Sequence, residues 1–292
     1  MVGSHRPCTP ASGFTMVGLT GFKLSDGDGT GFCVRTGPNY KKNGSKRASV
    51  RHLYTPVSMD VFERKEMLVD VASSLLLPPP VEGVDSPNPS RLPRRLVVNL
   101  IVPSEPPPLL RAPTDGPCYQ IVTCFVASAQ TLSDWKASGT PAFKLFERFL
   151  RECPEGVMPE KGNLDIKERL KILPLIENAK AAGLPSLLEG YNGKPALITK
   201  SGAVLRGDDY LLLTINLFRF GLMTKKGMHY LLPRLNEFDL HCGLTLEGRE
   251  DDELDECVLC AARVSSTQLG LPASMGTDHV CPVPAPDLTP HA

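Results

Sequence analysis

Residues 96–103 read LVVNLIVP, a run that is β-branched and apolar on both faces. Such a run predicts a strand over 96–102 that is covered on both sides. The stretch 119–126 supplies its hairpin partner, across a proline-rich connection at 103–117. That connection is long for a hairpin and reads as a disordered insertion or a functional loop. Upstream, 32–36 reads as a short strand ending in the turn Gly37-Pro38-Asn39, where Pro38 presets the backbone angle. A further strand is expected over 54–62, with Pro56 marking an edge or a bulge. Residues 75–93 form a loop of prolines and serines.

Downstream, 141–153 is the first clear helix. Thr140 caps its start, Pro141 suits the first helical position and Pro154 stops it. Phe143, Phe146, Phe149 and Leu150 fall on one face. The segment 170–176 fits a helix or a strand equally. Residues 196–199 and 210–220 read as strands around the polar turn Arg206-Gly207-Asp208-Asp209. A second helix is expected over 225–240, with Met228, Leu231, Leu232, Leu235 and Phe238 at helical spacing and a kink or boundary at Pro233. The acidic run 250–256 reads as a solvated loop, 257–264 as a closing strand and 266–292 as a proline-rich tail. This order predicts one α+β domain over 21–265, a mostly antiparallel curved sheet packed on a long C-terminal helix, after a poorly ordered start at 1–20.

Composition narrows the function classes. The 292 residues carry 32 basic and 32 acidic side chains, so no global field recruits nucleic acid or a membrane, and any such work falls to local patches. Nine cysteines without framework spacing argue against a secreted disulfide scaffold. The start lacks an apolar signal region and no stretch approaches about 20 apolar residues. These features predict a cytoplasmic protein, peripheral on endomembranes where it meets them.

Chemistry-bearing patterns are few. Lys41, Lys42, Lys46, Arg47, Arg51 and His52 form a basic cluster suited to anionic lipid headgroups, each charge contributing about 1 kcal/mol near a membrane. The plainer reading is a solvated loop. Lys46-Arg47-Ala48-Ser49 resembles a basic-directed kinase site, where phosphate would weaken that attraction. Asp26-Gly27-Asp28-Gly29-Thr30-Gly31 imitates the start of a calcium loop, but its twelfth position is Gly37 rather than a bidentate glutamate, so a turn is expected. Cys257 and Cys260 lack a second ligand pair, and residues three apart on a strand face opposite ways, so structural thiols are expected. Arg206 and Arg35 each anchor a turn through ion pairs, or bind an anion if they converge on one pocket. No GxSxG, HExxH or kinase set occurs, so no enzyme, metal or cofactor is expected.

Three peptides, FCVRTGPNY at 32–40, LVVNLIVP at 96–103 and VLRGDDYLLL at 204–213, together resemble the C-terminal domain of plant Enhanced Disease Resistance 2 proteins. Phe32, Arg35, Gly37, Pro38, Asn39 and Tyr40 match the start of that family. Asn99 and Pro103 match its VNLxVP strand, and Arg206, Gly207, Asp208, Tyr210 and Leu211 its Arg-Gly-Asp motif. Members carry this domain after pleckstrin-homology and START-type lipid-binding domains, for which this chain has no room, or as stand-alone proteins. The resemblance implies a non-catalytic, lipid- or membrane-associated binding domain; the basic cluster, and Arg35 and Arg206 if they converge, are the anion-binding residues that the charge pattern offers it. A lipid chain would need an apolar cavity between the sheet and the 228–238 helix. The family's apolar, Gly-rich helix is replaced here by a stretch with Lys225, Lys226, His229, Arg234, Glu237 and Asp239. The alternative is an adaptor that docks protein partners through its proline segments, with no lipid ligand.

Overall fold

The computed structural model describes residues 9–10, 15–17, 19–20, 23–79, 92–108, 113–157, 165–265 and 268–269. Most of the expected loose start, the tail, and the middle of both proline-rich insertions lie outside these residues.

The strand Arg95–Pro103 is the centre of a seven-stranded sheet. It pairs antiparallel with Cys118–Val126, which pairs with Thr55–Arg64 and then Thr15–Met16 beyond. On its other side it pairs parallel with Tyr210–Asn216, which forms a hairpin with Gly202–Arg206, flanked by Gly156–Val157. Pro56 sits at a bulge: Cys124 faces Ser58 whereas Phe125 faces Pro56, so Val57 is the extra residue. A second, five-stranded antiparallel sheet runs Ala196–Leu197, Leu170–Ile176, Leu240–Leu246, Val258–Ser265, Lys23–Asp26.

The period of two along each strand builds the layers. Leu96, Leu211, Leu213 and Ile215 enter a core shared with Leu170, Leu244, Leu246 and Leu259 of the smaller sheet. Their neighbours Val97 and Leu212 turn outward, onto a cover made of Val71, Ala72, Leu75 and Leu77. The helix Pro141–Glu152 enters the shared core with Phe143, Phe146 and Phe149. Its start is as expected: Thr140 accepts from the Phe143 amide and Pro141 opens the first turn.

Several elements differ from expectation. The ambiguous 170–176 is a strand, because all seven of its residues face a long partner at 240–246 and the core claims alternate positions. Residues 196–199 shrink to Ala196–Leu197 and join the smaller sheet, so the partner across the Arg206–Asp209 turn is Gly202–Arg206 instead. The long C-terminal helix is absent. Leu222–Leu231 is a ten-residue α-helix, and Leu232–Glu237 continues as a tighter 3-10 turn around Pro233, which lacks the amide an α-helix needs there. The fold is α+β with mostly antiparallel sheets, but its central packing helix is Pro141–Glu152.

Candidate functional site

The basic cluster lies on a small hairpin, Cys33–Arg35 with Lys46–Ala48, closed by the single turn Tyr40–Asn43. The hairpin covers the outer face of the smaller sheet, where Phe32 and Val34 pack against Leu173, Val258 and Ala261. The Phe32 ring meets His241 at 4.3 Å.

The acidic run 250–256, expected to be solvated, is the hairpin's dock. Asp255 accepts from Thr36 Oγ1 and from the Gly37 amide, and Asp251 accepts from the Asn39 amide at 2.9 Å. Glu256 is buried and accepts from the Arg35 amide. Lys41 pairs with Glu250 at 2.8 Å and Arg47 with Asp255 at 2.8 Å. Two of the cluster's cations are therefore neutralised within the chain, while Lys42, Lys46 and Arg51 are exposed and make no ion pair among the described residues. His52 is not a surface base at all. It is buried, its Nδ1 accepts from the Gly29 amide at 3.0 Å, and its Nε2 lies 2.6 Å from Asp26. Ser49, the residue of the kinase-like site, is buried too, and its Oγ accepts from the Val258 amide.

Behind the hairpin lies a cavity of about 220 Å³. Cys33, Val34, Arg35, Tyr40 and Lys46 line it from the hairpin side, and Lys171, Leu173, Pro195, Leu197, Glu247 and Glu256 from the other. Lys171 and Glu256 form a buried ion pair at 2.6 Å. Burial pushes the Lys171 ammonium below its ordinary range, although Glu256 works against that. Arg35 stacks over the Tyr40 ring at 4.8 Å, pairs with Glu247 at 2.6 Å and donates to the Gly248 carbonyl.

From here a seam of charge continues through the molecule. Glu247 also holds Arg249, which reaches Asp165, and Asp165 and Glu253 together hold Arg169. Arg148 of the packing helix joins at Glu253, 3.0 Å away. Burial alone would raise the Asp165 and Glu253 carboxyls, but hydrogen bonds and nearby arginines outweigh it and hold both low. Sequence reasoning missed this seam because its members lie far apart in the chain. The match between the basic run 41–51 and the acidic run 250–256 was a signal for the hairpin's dock alone, through Lys41 with Glu250 and Arg47 with Asp255.

Arg206 does not converge on this site with Arg35. It donates to the carbonyls of Leu150 and Cys153, closing the end of the Pro141–Glu152 helix. Of the Arg-Gly-Asp stretch, the Gly207 amide donates to the Tyr210 carbonyl across the turn, Asp209 pairs with Arg95, and Asp208 lies in the exposed turn. Asn99 is structural: it donates to Leu68 O and Thr214 Oγ1, accepts from Gln120, and so ties the 67–69 segment onto the large sheet, while Pro103 ends its strand. Cys257 and Cys260 face different surroundings, the former beside Ser49 and the latter in the shared core. Burial pushes the Cys257 thiol up to about 11 and raises Cys260 as well. The loop 26–31 is the expected turn, with Asp28 accepting from Thr30. The apolar space sought beside the 228–238 segment is filled: Leu232 and Leu235 pack on Val17, Val61, Val102 and Tyr119.

Among the described residues, no helix is long and apolar enough to cross a membrane. No group of three or more His, Cys, Asp or Glu there could hold a metal ion. The chain matches none of the curated proteins and none of the solved structures with which it was compared. It does match the family described as Protein ENHANCED DISEASE RESISTANCE 2, C-terminal, over residues 25–268. That span takes in all three peptides and both sheets but for the flanking Thr15–Met16 and Lys23–Leu24, and the chain belongs to the Enhanced Disease Resistance 2 C-terminal family.

Proposed function

We propose that this domain is a non-catalytic module that docks peripherally on an anionic membrane surface, on its cytoplasmic side. One observation carries the reading: Lys42, Lys46 and Arg51 stand exposed, with no ion pair among the described residues, on and just beyond a single hairpin. Val50, half exposed between Ser49 and Arg51, adds an apolar contact for the headgroup region. With the 228–238 region filled by its own side chains, the reading is adhesion to headgroups and not enclosure of an acyl chain. The absence of catalysis is part of the proposal.

Vesicle co-sedimentation tests it, with neutral and phosphoinositide-containing vesicles at low and physiological salt. Binding is expected only with the anionic vesicles, and weaker at the higher salt. Changing Lys42, Lys46 and Arg51 together to alanine removes about 3 kcal/mol, roughly a hundredfold. Equal binding to neutral vesicles, or an unaffected triple variant, would sink the reading. No binding at either salt moves the assignment to a protein adaptor acting through 75–93, 103–117 and 272–290.

A further inference from the structure

The cavity behind the hairpin has an uneven account of charge and donors. Three cations line it, Arg35, Lys46 and Lys171, against two carboxylates, Glu247 and Glu256. The carboxylates are occupied. Glu256 takes Lys171, the Arg35 amide and the Gly248 amide, and Glu247 takes Arg35 and Arg249. Of the cations Arg35 is committed too, and the two lysines keep donors to spare. An ammonium has three N–H donors, and among the described residues buried Lys171 makes one hydrogen bond, to Glu256 Oε1. Lys46 makes no ion pair, and the Tyr40 hydroxyl has no hydrogen-bond partner among the described residues. Lys171 is buried, Tyr40 partly buried and Lys46 exposed at the mouth, so the wall gathers donors of two cations and a phenol around one small space, which suits an anion.

We infer that this cavity binds the phosphate of a phosphomonoester, held by Lys171 and Tyr40 within and by Lys46 at the mouth. A phosphate offers several strong acceptor oxygens and a charge that balances the excess cation. Arg35 is already committed to Glu247 and to the Gly248 carbonyl, so it shapes the wall and leaves the contact to the lysines. The burial that depresses the Lys171 ammonium is partly relieved by a bound anion. The two sources of such a group are a lipid headgroup exposed at a membrane and a soluble phosphate ester. The inference goes beyond the membrane reading, because it needs no vesicle, and the two share only Lys46.

Isothermal titration of the full chain decides it, with inorganic phosphate, a soluble methyl phosphate and a short-chain monomeric phosphatidic acid. Saturable phosphate binding in the millimolar range or tighter is expected. Lys46→Ala, an exposed change that leaves the fold alone, weakens it about tenfold. The paired variant Lys171→Met with Glu256→Gln, which strands no charge, abolishes it. Tighter binding of phosphatidic acid than of methyl phosphate identifies the lipid headgroup as the source, and equal binding identifies a soluble ester. No phosphate binding, or binding that Lys46→Ala leaves unchanged, overturns the inference. Vesicle binding by the paired variant, or its loss in a Lys42→Ala, Arg51→Ala variant that still binds methyl phosphate, separates failure of the cavity from failure of the membrane reading.

Discussion

Gly27 and Gly207 are glycines for the same physical reason with different consequences. A Cβ at Gly27 would sit 2.6 Å from the Ala262 amide nitrogen, which belongs to the central run of a paired strand and cannot move. A Cβ at Gly207 would meet the ring of Tyr210, a half-buried side chain that can swing away. Gly27→Ala is therefore expected to destabilise by about 3 kcal/mol and Gly207→Ala by about 1 kcal/mol, within the usual range for overpacking, as read from urea unfolding. His52 gives a pH signature at the same scale. Its imidazole is held below the ordinary value, first by burial, with Asp26 opposing and Arg51 assisting. The unfolded chain thus binds the proton more readily, so the stabilisation is complete above the unfolded value of 6.5 and is lost as pH falls below it. In His52→Gln, the slope of stability against pH just below 6.5 should flatten, measured by urea unfolding across that window.

At the scale of elements, the Pro141–Glu152 helix shows how much of this fold could be read beforehand. Its cap, its first proline and its aromatic face are all local signals, and all appear as expected. What closes its other end was not readable, because Arg206 comes from a hairpin fifty-odd residues away and donates to Leu150 and Cys153. Thr140→Ala and Arg206→Ala should each cost about 1 kcal/mol by loss of a cap, and more nearly add than couple, since the two ends lie apart. A double-mutant cycle in thermal unfolding measures this. The 222–237 segment misled for a related reason: its apolar spacing is helical, but Pro233 ends the α-helical ladder and the sheets find a different partner.

For the whole molecule, charge was the least readable property. The acidic run 250–256 looks like a solvated loop in the sequence, yet Glu256 is buried and Glu253 ties two arginines. The basic cluster was found as a set of residues, but the pairing of Lys41 and Arg47, and not of Lys42, Lys46 or Arg51, among the described residues depends on that distant run. Because the seam joins the hairpin, both flanks of the smaller sheet and the packing helix, breaking it should be felt globally. Glu256→Ala leaves Lys171 charged, buried and unpaired, and is expected to cost about 3–5 kcal/mol. Replacing the pair together with Met and Gln should be far milder, and equal losses from the two variants in chemical unfolding would refute the account.

The hairpin's dock also sets an order of events during synthesis. The Arg35 amide meets its Glu256 acceptor across 221 positions of sequence. On the ribosome, Phe32 and Val34 therefore emerge long before Val258 and Ala261, which cover them in the folded domain. Until that later segment emerges, a sticky, cationic ribbon is left partly uncovered, the state that chaperones are built to shield. A polypeptide cut short just before the strand Val258–Ser265 would keep Leu173 and Leu175 against Phe32 and Val34 but lose Val258 and Ala261, the other half of their shelter.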